Sequence, residues 1–192
     1  VLGDRVFVGI WLTASCCFAG LFSYISTSSL LLQEAFGLRE TEFGVVFAIC
    51  SIGVFAGVQL GSRLSAHLGP QKVLIAGTAG MIAAASALLG LDAMRGGHLP
   101  LIPAMFAYTL AFGACNPAAQ VLALQNHRAD SGVAASLMGA LNMTLAAVVG
   151  PVIGQFELTS AAPMAIAMLC CATTAALCLW LIARPRRIEF TL

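Results

Sequence analysis

Apolar residues form six long runs along the chain, and a short polar break separates each run from the next. A helix that crosses a bilayer needs about 20 apolar residues. The pattern therefore predicts an all-α membrane protein with six transmembrane helices. The break between the second and third runs holds Gly69 and Pro70, which predict a tight reversal. The approximate bounds of the six predicted helices are 6–32, 43–65, 73–91, 99–124, 133–156 and 161–183.

The composition supports a membrane protein. Hydrophobic residues make up 60% of the 192 positions and charged residues only 9%, and the mean hydropathy is +0.96. An average soluble domain is about one quarter charged, so this composition excludes a soluble enzyme and a disordered chain. A formal net charge of +1 without a basic cluster also argues against a nucleic-acid partner. The expected surroundings are the lipid bilayer.

The basic residues predict the orientation, because short cytoplasmic loops carry an excess of Lys and Arg. If the N-terminus is inside, Arg39 and Arg95 lie on the outer side and the other basic residues lie on the cytoplasmic side. Both termini are therefore predicted to be cytoplasmic. The predicted cytoplasmic residues are Arg5, Arg63, Lys72, Arg128, Arg184, Arg186 and Arg187.

Small residues recur at helical spacing in three of the predicted spans. In the second span Gly53, Gly57 and Gly61 form a doubled G-x-x-x-G pattern. Such stripes let helix backbones approach closely, so we expect packing faces, with sliding or rocking helices as the alternative. The other two stripes are Gly77, Gly80, Ala84 and Ala87 in the third span, and Gly132, Ser136, Gly139, Ala146, Gly150 and Gly154 in the fifth.

The fourth span carries a polar stripe within its apolar sequence. Pro117 lies inside this stripe and interrupts the backbone hydrogen-bond ladder. Amide side chains in hydrocarbon need polar partners, so this face should line a water-filled cavity or form an interhelical hydrogen bond. The stripe consists of Thr109, Gly113, Asn116 and Gln120, spaced by four, three and four residues.

Further candidates for a cavity wall lie in the first and fifth spans. Phe18 and Phe22 are four residues apart and precede a run of hydroxyl side chains. Aromatic rings beside hydroxyl groups suit an apolar, loosely selective pocket, and lipid-facing rings are the alternative. Asn142 is the corresponding amide in the fifth span. The predicted substrate-cavity residues are Phe18, Phe22, Asn116, Gln120 and Asn142.

The sequence predicts no catalytic centre, no metal site and no cofactor. All eight acidic residues lie in predicted loops or at span ends, so a proton-coupling carboxylate is expected on another segment. His67, His98 and His127 also fall in predicted loops. The seven cysteines lack the spacing of metal ligands and are expected to be small buried apolar residues.

Two short motifs resemble those of the major facilitator superfamily. In the loop after the second span, Gly69 and Lys72 match that superfamily's pattern, and His67 replaces its usual Arg. Ala66 occupies the place of its Asp. In the fifth span, Gly150-Pro151-Val152-Ile153-Gly154 resembles the end of the antiporter signature. The resemblance implies a packing or gating role for His67, Gly69, Lys72, Gly150, Pro151 and Gly154.

A longer resemblance covers nearly the whole chain. It includes the segments 24–29, 32–38 and 43–44, then Asn116-Pro117-Ala118 and the segment 132–141. Together these segments are similar to the C-terminal half of a Bcr/CflA-type multidrug transporter. The resemblance implies that residues 1–192 form a single bundle of two inverted three-helix repeats, approximately 1–95 and 96–192, equivalent to helices seven to twelve.

The function implied by this resemblance is proton-coupled efflux of drugs or small metabolites across a bacterial inner membrane. The implied partners are a hydrophobic small-molecule substrate and an N-terminal six-helix half on sequence outside this chain. Two alternatives remain open. The chain could be a self-sufficient six-helix exporter that pairs with a second copy, or a membrane fragment that transports nothing.

Overall fold

A computed structural model describes residues 5–94, 99–125, 131–153 and 160–183. Within these ranges the chain forms six long helices and no strand. By length and composition each helix can cross a membrane, so the chain is a multi-pass, all-α membrane protein. The helices are α1 (Arg5–Ser29), α2 (Glu40–Leu68), α3 (Pro70–Ala93), α4 (Leu101–Leu124), α5 (Ser131–Ile153) and α6 (Ala162–Cys178).

The helices extend into segments that the hydropathy pattern assigns to loops. A π-helical segment, Leu30–Ala35, carries α1 beyond its predicted end, whereas a second one, Leu179–Ala183, continues α6 to the end of the predicted sixth span. The first turn of α2 is polar and is capped by the Glu42 carboxylate, which accepts a hydrogen bond from the Arg39 N–H at 2.9 Å. Polar residues at helix ends can remain helical because water satisfies their side chains, so an apolar run understates the helix length.

The reversal between α2 and α3 is shorter than predicted. Gly69 alone separates the two helices, and its φ of +87° lies in a region that disfavours other residues. Pro70 then begins α3, at a position where a backbone N–H would have no intrahelical acceptor. Its lack of an N–H therefore costs the helix no hydrogen bond. The prediction of a loop around His67 and Lys72 is therefore wrong, because His67 lies in the last turn of α2 and Lys72 in the first turn of α3.

Helix α4 lies at the centre of the bundle. It packs against α2 and α3 and also contacts α1, while α1 packs against α5 and α6, and α3 packs against α6. Tyr108 of α4 is fully buried, and its hydroxyl donates to the Met168 carbonyl of α6 at 3.4 Å. The core therefore follows α4 and the faces of α1, α3 and α6 that surround it.

The predicted packing face of the second span is confirmed, and its partner is α4. A Cβ atom on Gly57 would overlap the Leu110 carbonyl oxygen and lie 3.0 Å from the Cα of Gly113. A Cβ atom on Gly61 would lie 2.6 Å from the Cα of Ala114. The two helix backbones are thus in direct contact, which only glycine permits at these positions.

The third span uses its small residues in the same way, against a neighbouring flank of α4. Gly77 lies directly beside the Cys115 thiol, and a Cβ atom on Gly80 would be 3.3 Å from the Cβ of Ala111. Ala84 is buried, whereas Ala87 is exposed. The stripe of α3 therefore packs over most of its length.

The small-residue stripe of the fifth span does not form a packing face as expected. Cβ atoms on Gly132 and Gly139 would meet nothing within 4 Å, and Gly150 would make only ordinary contact with Ser26. Ser136 is also exposed. Helix α5 contacts chiefly α1, so the part of this stripe from Gly132 to Gly139 is not covered by another helix. Ala146 is buried, and Gly154 lies outside the described residues.

Helices α2 and α5 each present a broad apolar face to the surroundings. On α2 the outward side chains include Val45, Ile52 and Phe55, and on α5 they include Met143 and Val148. Each of these side chains is more than half exposed. Faces of this kind are stable against lipid or against another apolar protein surface.

Substitution of Gly57 by alanine should destabilise the bundle, because the new methyl group would collide with the backbone of α4. We expect Gly57→Ala to lower the free energy of unfolding by about 1–3 kcal/mol. Gly44→Ala is the matched control on the same helix, since a Cβ there meets nothing within 4 Å. Denaturant titration in detergent should therefore show Gly57→Ala to be less stable than the wild type and Gly44→Ala to be more stable. Equal stabilities of the two variants would contradict the close contact.

Candidate functional site

A cavity of about 200 Å³ lies between α1, α4 and α5. Its wall is mostly apolar, with a few amide side chains. Helix α1 contributes Ala14, Cys17 and Phe18. Helix α4 contributes Phe112, Cys115, Asn116, Ala119, Gln120 and Leu124, and helix α5 contributes Ala135, Met138, Gly139 and Asn142.

The cavity lies towards one end of the bundle. Its residues come from the middle of α1, the second half of α4 and the first half of α5. Helices that alternate in direction across a membrane bring these segments to the same side. The cavity is therefore nearer to the surface at which α1 begins than to the opposite surface.

Three of the predicted cavity residues supply the amides of this wall. The Gln120 Nε2 donates to the Asn116 Oδ1 at 2.7 Å, one turn away on α4. The Ser15 hydroxyl of α1 donates to the Asn142 Oδ1 of α5, also at 2.7 Å. Asn142 therefore forms an interhelical hydrogen bond and lines the cavity as well. For this amide, cavity lining and interhelical hydrogen bonding are not exclusive alternatives.

The polar stripe of the fourth span lies in two different environments. Asn116 and Gln120 line the cavity, whereas Thr109 and Gly113 are buried against the glycine face of α2. The Thr109 hydroxyl donates to the Phe106 carbonyl of its own helix at 2.9 Å. The stripe is therefore divided between a cavity face and a protein-packed face, because α2 covers its first half.

The two aromatic candidates of the first span are placed differently. Phe18 lines the cavity, and its ring centroid lies 6.3 Å from that of Phe112. Phe22 stacks on Phe18 with centroids 6.4 Å apart but does not line the cavity. Phe22 therefore lies outside the cavity wall, and contact of either ring with a substrate stays a prediction.

Several lining residues were missed from the sequence. Phe112 precedes Asn116 by one helical turn, and Met138 precedes Asn142 by one turn, so helical spacing from the amides would have found both. Cys17 and Cys115 are buried and also line the cavity. Their residue type did not indicate a cavity, because a thiol within an apolar run is usually a packing residue.

The predicted motif residues lie away from the cavity. His67 and Lys72 are exposed on either side of Gly69, at the turn between α2 and α3. Gly150 and Pro151 are in the last turns of α5, beyond the cavity residues of that helix, and Pro151 is exposed. Gly154 lies outside the described residues. The structure therefore brings none of the described motif residues to the cavity wall.

The cavity wall contains no Asp, Glu, Lys, Arg or His among the described residues. The described acidic residues lie at helix ends, as the sequence predicts. Asp92 in the last turn of α3 accepts a hydrogen bond from the Ala161 N–H, at the start of α6, at 2.9 Å. Asp4, Asp130, Glu157 and Glu189 lie outside the described residues.

The chemistry of the site is that of a binding cavity. Within the described ranges no cluster of three His, Cys, Asp or Glu residues could hold a metal ion. The seven cysteines are free thiols, and Cys170 is exposed rather than buried. Aromatic, thioether and amide groups can bind a small molecule through apolar contact and hydrogen bonds.

Comparisons with known proteins point to one family. A family model described as Major Facilitator Superfamily matches residues 1–151. An uncharacterized MFS-type transporter, YdgK, from Bacillus subtilis is 28% identical over 187 residues, which cover 97% of this chain and 46% of the relative. A bicyclomycin resistance protein homolog from Haemophilus influenzae is 25% identical over 169 residues, covering 85% of this chain and 41% of the relative.

The chain thus spans just under half the length of the curated relatives it matches. No solved structure matches it.

The hydrogen bond between Ser15 and Asn142 should contribute measurably to the attachment of α5. Interhelical hydrogen bonds in membrane proteins are worth about 0.6 kcal/mol on average and up to about 1.7 kcal/mol. A double-mutant cycle of Ser15→Ala and Asn142→Ala, measured by unfolding in detergent, should give a coupling energy in that range.

The control for this cycle pairs Ser15→Ala with Thr144→Val. The Thr144 hydroxyl bonds to the Ala140 carbonyl of its own helix, so this pair should show no coupling. A coupling energy of zero between Ser15 and Asn142 would contradict the hydrogen bond.

Proposed function

Because the chain belongs to the Major Facilitator Superfamily, we propose that it forms the C-terminal six-helix half of a Bcr/CflA-type efflux transporter in a bacterial inner membrane. The observation that supports this most strongly is the apolar, amide-bearing cavity between α1, α4 and α5. The family match and the bicyclomycin resistance homolog support the class of function. Family membership also favours transport over enzymatic catalysis.

The contacts between helices support two three-helix repeats in this half. Exchange of α1 with α4, α2 with α5 and α3 with α6 turns the pair α2–α4 into α5–α1, and the pair α3–α4 into α6–α1. The pairs α1–α4 and α3–α6 map onto themselves. All of these pairs are packed in the structure, as repeats related by a pseudo-twofold axis require.

We propose that substrate enters the cavity from the cytoplasmic side. With the N-terminus inside, the cavity lies in the cytoplasmic half of the bundle, since α1 and α5 begin there and α4 ends there. Arg5, Arg63 and Lys72 lie at the ends of their helices that face this side, which supports the orientation. A cavity open to the cytoplasm suits a transporter that exports its substrate.

In this proposal the N-terminal half of the transporter supplies the proton-coupling group. The cavity wall formed by this chain contains no ionisable acid or base among the described residues. Membrane-depth carboxylates are the usual carriers of a translocated proton. This half therefore binds substrate, and coupling requires the other half. The outward apolar faces of α2 and α5 are suited to contact with it.

A second candidate function is a six-helix exporter that works as a homodimer. The observation that favours it is the same apolar face on α2 and α5, which a second copy could cover. Vesicles that contain only the 192-residue chain separate the two candidates. Transport by those vesicles would support the homodimer, and its absence together with transport by the complete polypeptide would support the half-transporter.

Efflux should depend more on Phe18 than on Phe22, because only Phe18 reaches the cavity. We expect the complete transporter to raise the bicyclomycin concentration that an efflux-deficient bacterium tolerates. Three alanine substitutions should each lower the substrate affinity by up to about tenfold and so remove much of this protection. They are Phe18→Ala, Asn116→Ala and Gln120→Ala.

Phe22→Ala is the matched control and should retain most of the protection. Immunoblotting of membranes would verify equal expression of all variants. Unchanged resistance in the Phe18, Asn116 and Gln120 variants would remove this cavity from the transport pathway.

A further inference from the structure

We propose that the cavity selects neutral molecules that carry a hydrogen-bond acceptor, such as a carbonyl oxygen, beside an aromatic or branched apolar group. This inference rests on the proposed function and specifies its substrate class. It follows from which amide atoms remain free in the cavity, from the absence of charge in its wall, and from the position of its aromatic rings.

The internal hydrogen bonds of the wall leave two amide nitrogens of cavity-lining residues without a protein acceptor among the described residues. The Asn116 Oδ1 accepts from Gln120, and the Asn142 Oδ1 accepts from Ser15. Each bond turns the carboxamide so that its oxygen faces a protein donor and its Nδ2 points elsewhere. Within the described part of the chain, neither Nδ2 atom donates to a protein acceptor. Two N–H₂ groups, on different helices, are thus available to a ligand.

The bond from Ser15 makes the orientation of Asn142 specific. Serine and threonine inside helices commonly donate to the carbonyl four residues earlier, as Thr13 does to Gly9 at 2.8 Å. Ser15 is completely buried and instead reaches across to α5. It can donate a single proton, so the amide oxygen of Asn142 is its acceptor and the amide nitrogen is left over.

The wall also discriminates by charge. A cation that enters an apolar cavity loses its hydration and needs a compensating negative group. No carboxylate lines this cavity within the described residues, and the partial positive charge of the two free N–H₂ groups disfavours a cation. The Oε1 of Gln120 belongs to an exposed side chain, where water can reach it. A neutral acceptor, in contrast, replaces its bonds to water with bonds to the two amides. This wall therefore favours neutral ligands over cations of the same size.

The apolar part of the ligand would lie against Phe18 and Phe112. Their ring centroids are 6.3 Å apart with planes inclined by 56°, so they form a corner into which a flat ring can pack. Met138 of α5 lines the same cavity, and its flexible thioether adapts to different shapes. The acceptor fixes the orientation of the ligand, and the apolar residues tolerate variety in the rest of it.

Three probes of similar size test this inference on the purified 192-residue chain in detergent. Acetanilide is neutral and carries a carbonyl acceptor, isobutylbenzene has the same heavy-atom skeleton without an acceptor, and benzyltrimethylammonium is a permanent cation. The dissociation constant of each is obtained from the concentration dependence of the thermal unfolding midpoint. We expect acetanilide to bind at least about tenfold more tightly than the cation.

The variant Asn116→Leu/Gln120→Leu/Asn142→Leu removes both free donors, and Gln120→Leu also removes the donor that the loss of Asn116 would release. It should weaken acetanilide about tenfold or more, since each lost hydrogen bond accounts for a factor of about 2–12. Isobutylbenzene should bind the triple variant at least as well as it binds the wild type, which also shows that the cavity is intact. If the triple variant does not fold, Asn116→Leu/Gln120→Leu serves, because it leaves the Ser15–Asn142 bond in place.

Gln59→Leu is the matched control. It replaces an exposed carboxamide on α2 that does not line the cavity, and it should change none of the three affinities.

The inference is overturned if acetanilide does not bind, if it binds no better than the cation, or if the cavity variants weaken isobutylbenzene as much as acetanilide. The efflux experiment reports separately on the proposed function. Efflux without a preference for acetanilide would overturn this inference and leave the proposed function standing. A preference that depends on the amides, without efflux, would support the inference and count against transport.

Discussion

The direct contact between the backbones of α2 and α4 is the constraint on which the rest of the bundle depends. Gly57 and Gly61 bring α2 so close that its partner atoms on α4 are main-chain atoms of residues 110–114. On another flank, Gly77 and Gly80 of α3 hold the same stretch of α4. A helix in lipid gains little from hydrophobic association, so close packing of this kind supplies much of the attraction. Helix α4 is thereby fixed in the centre.

The cavity exists because this packing covers only part of α4. Its first half is enclosed by α2 and α3, whereas the side that carries Asn116 and Gln120 faces α1 and α5. Helix α5 contacts chiefly α1 and touches α4 little. A space therefore remains between α4 and α5 that closer packing of α5 would have filled. The amides in that space are partly satisfied by Ser15 and by each other, and so remain compatible with an apolar surrounding.

The number of helices, the packing face of α2 and most of the amide positions could be predicted from the sequence. Those features depend on local periodicity, which one chain reveals. The exposure of Gly132 and Ser136 on α5 could not be predicted, because small residues at helical spacing give the same pattern whether or not another helix covers them. For the same reason, the sequence could not predict that α2 covers Thr109 and leaves Asn116 at the cavity. A sequence shows which residues share a face, and the partners of that face come from the assembled bundle.

The contact pattern also sets an order for assembly during synthesis. Helices α2, α3 and α4 follow one another in the chain and pack together, so this group can form as soon as α4 has entered the membrane. The two helices that pack most against α1 are α5 and α6, which begin about 100 and about 130 residues after α1 ends. At about 5–20 residues per second, the hydroxyl groups of α1 wait between about 5 and about 26 seconds for these partners. Thr13 and Ser15 therefore gain their interhelical hydrogen bonds only when α6 and α5 arrive.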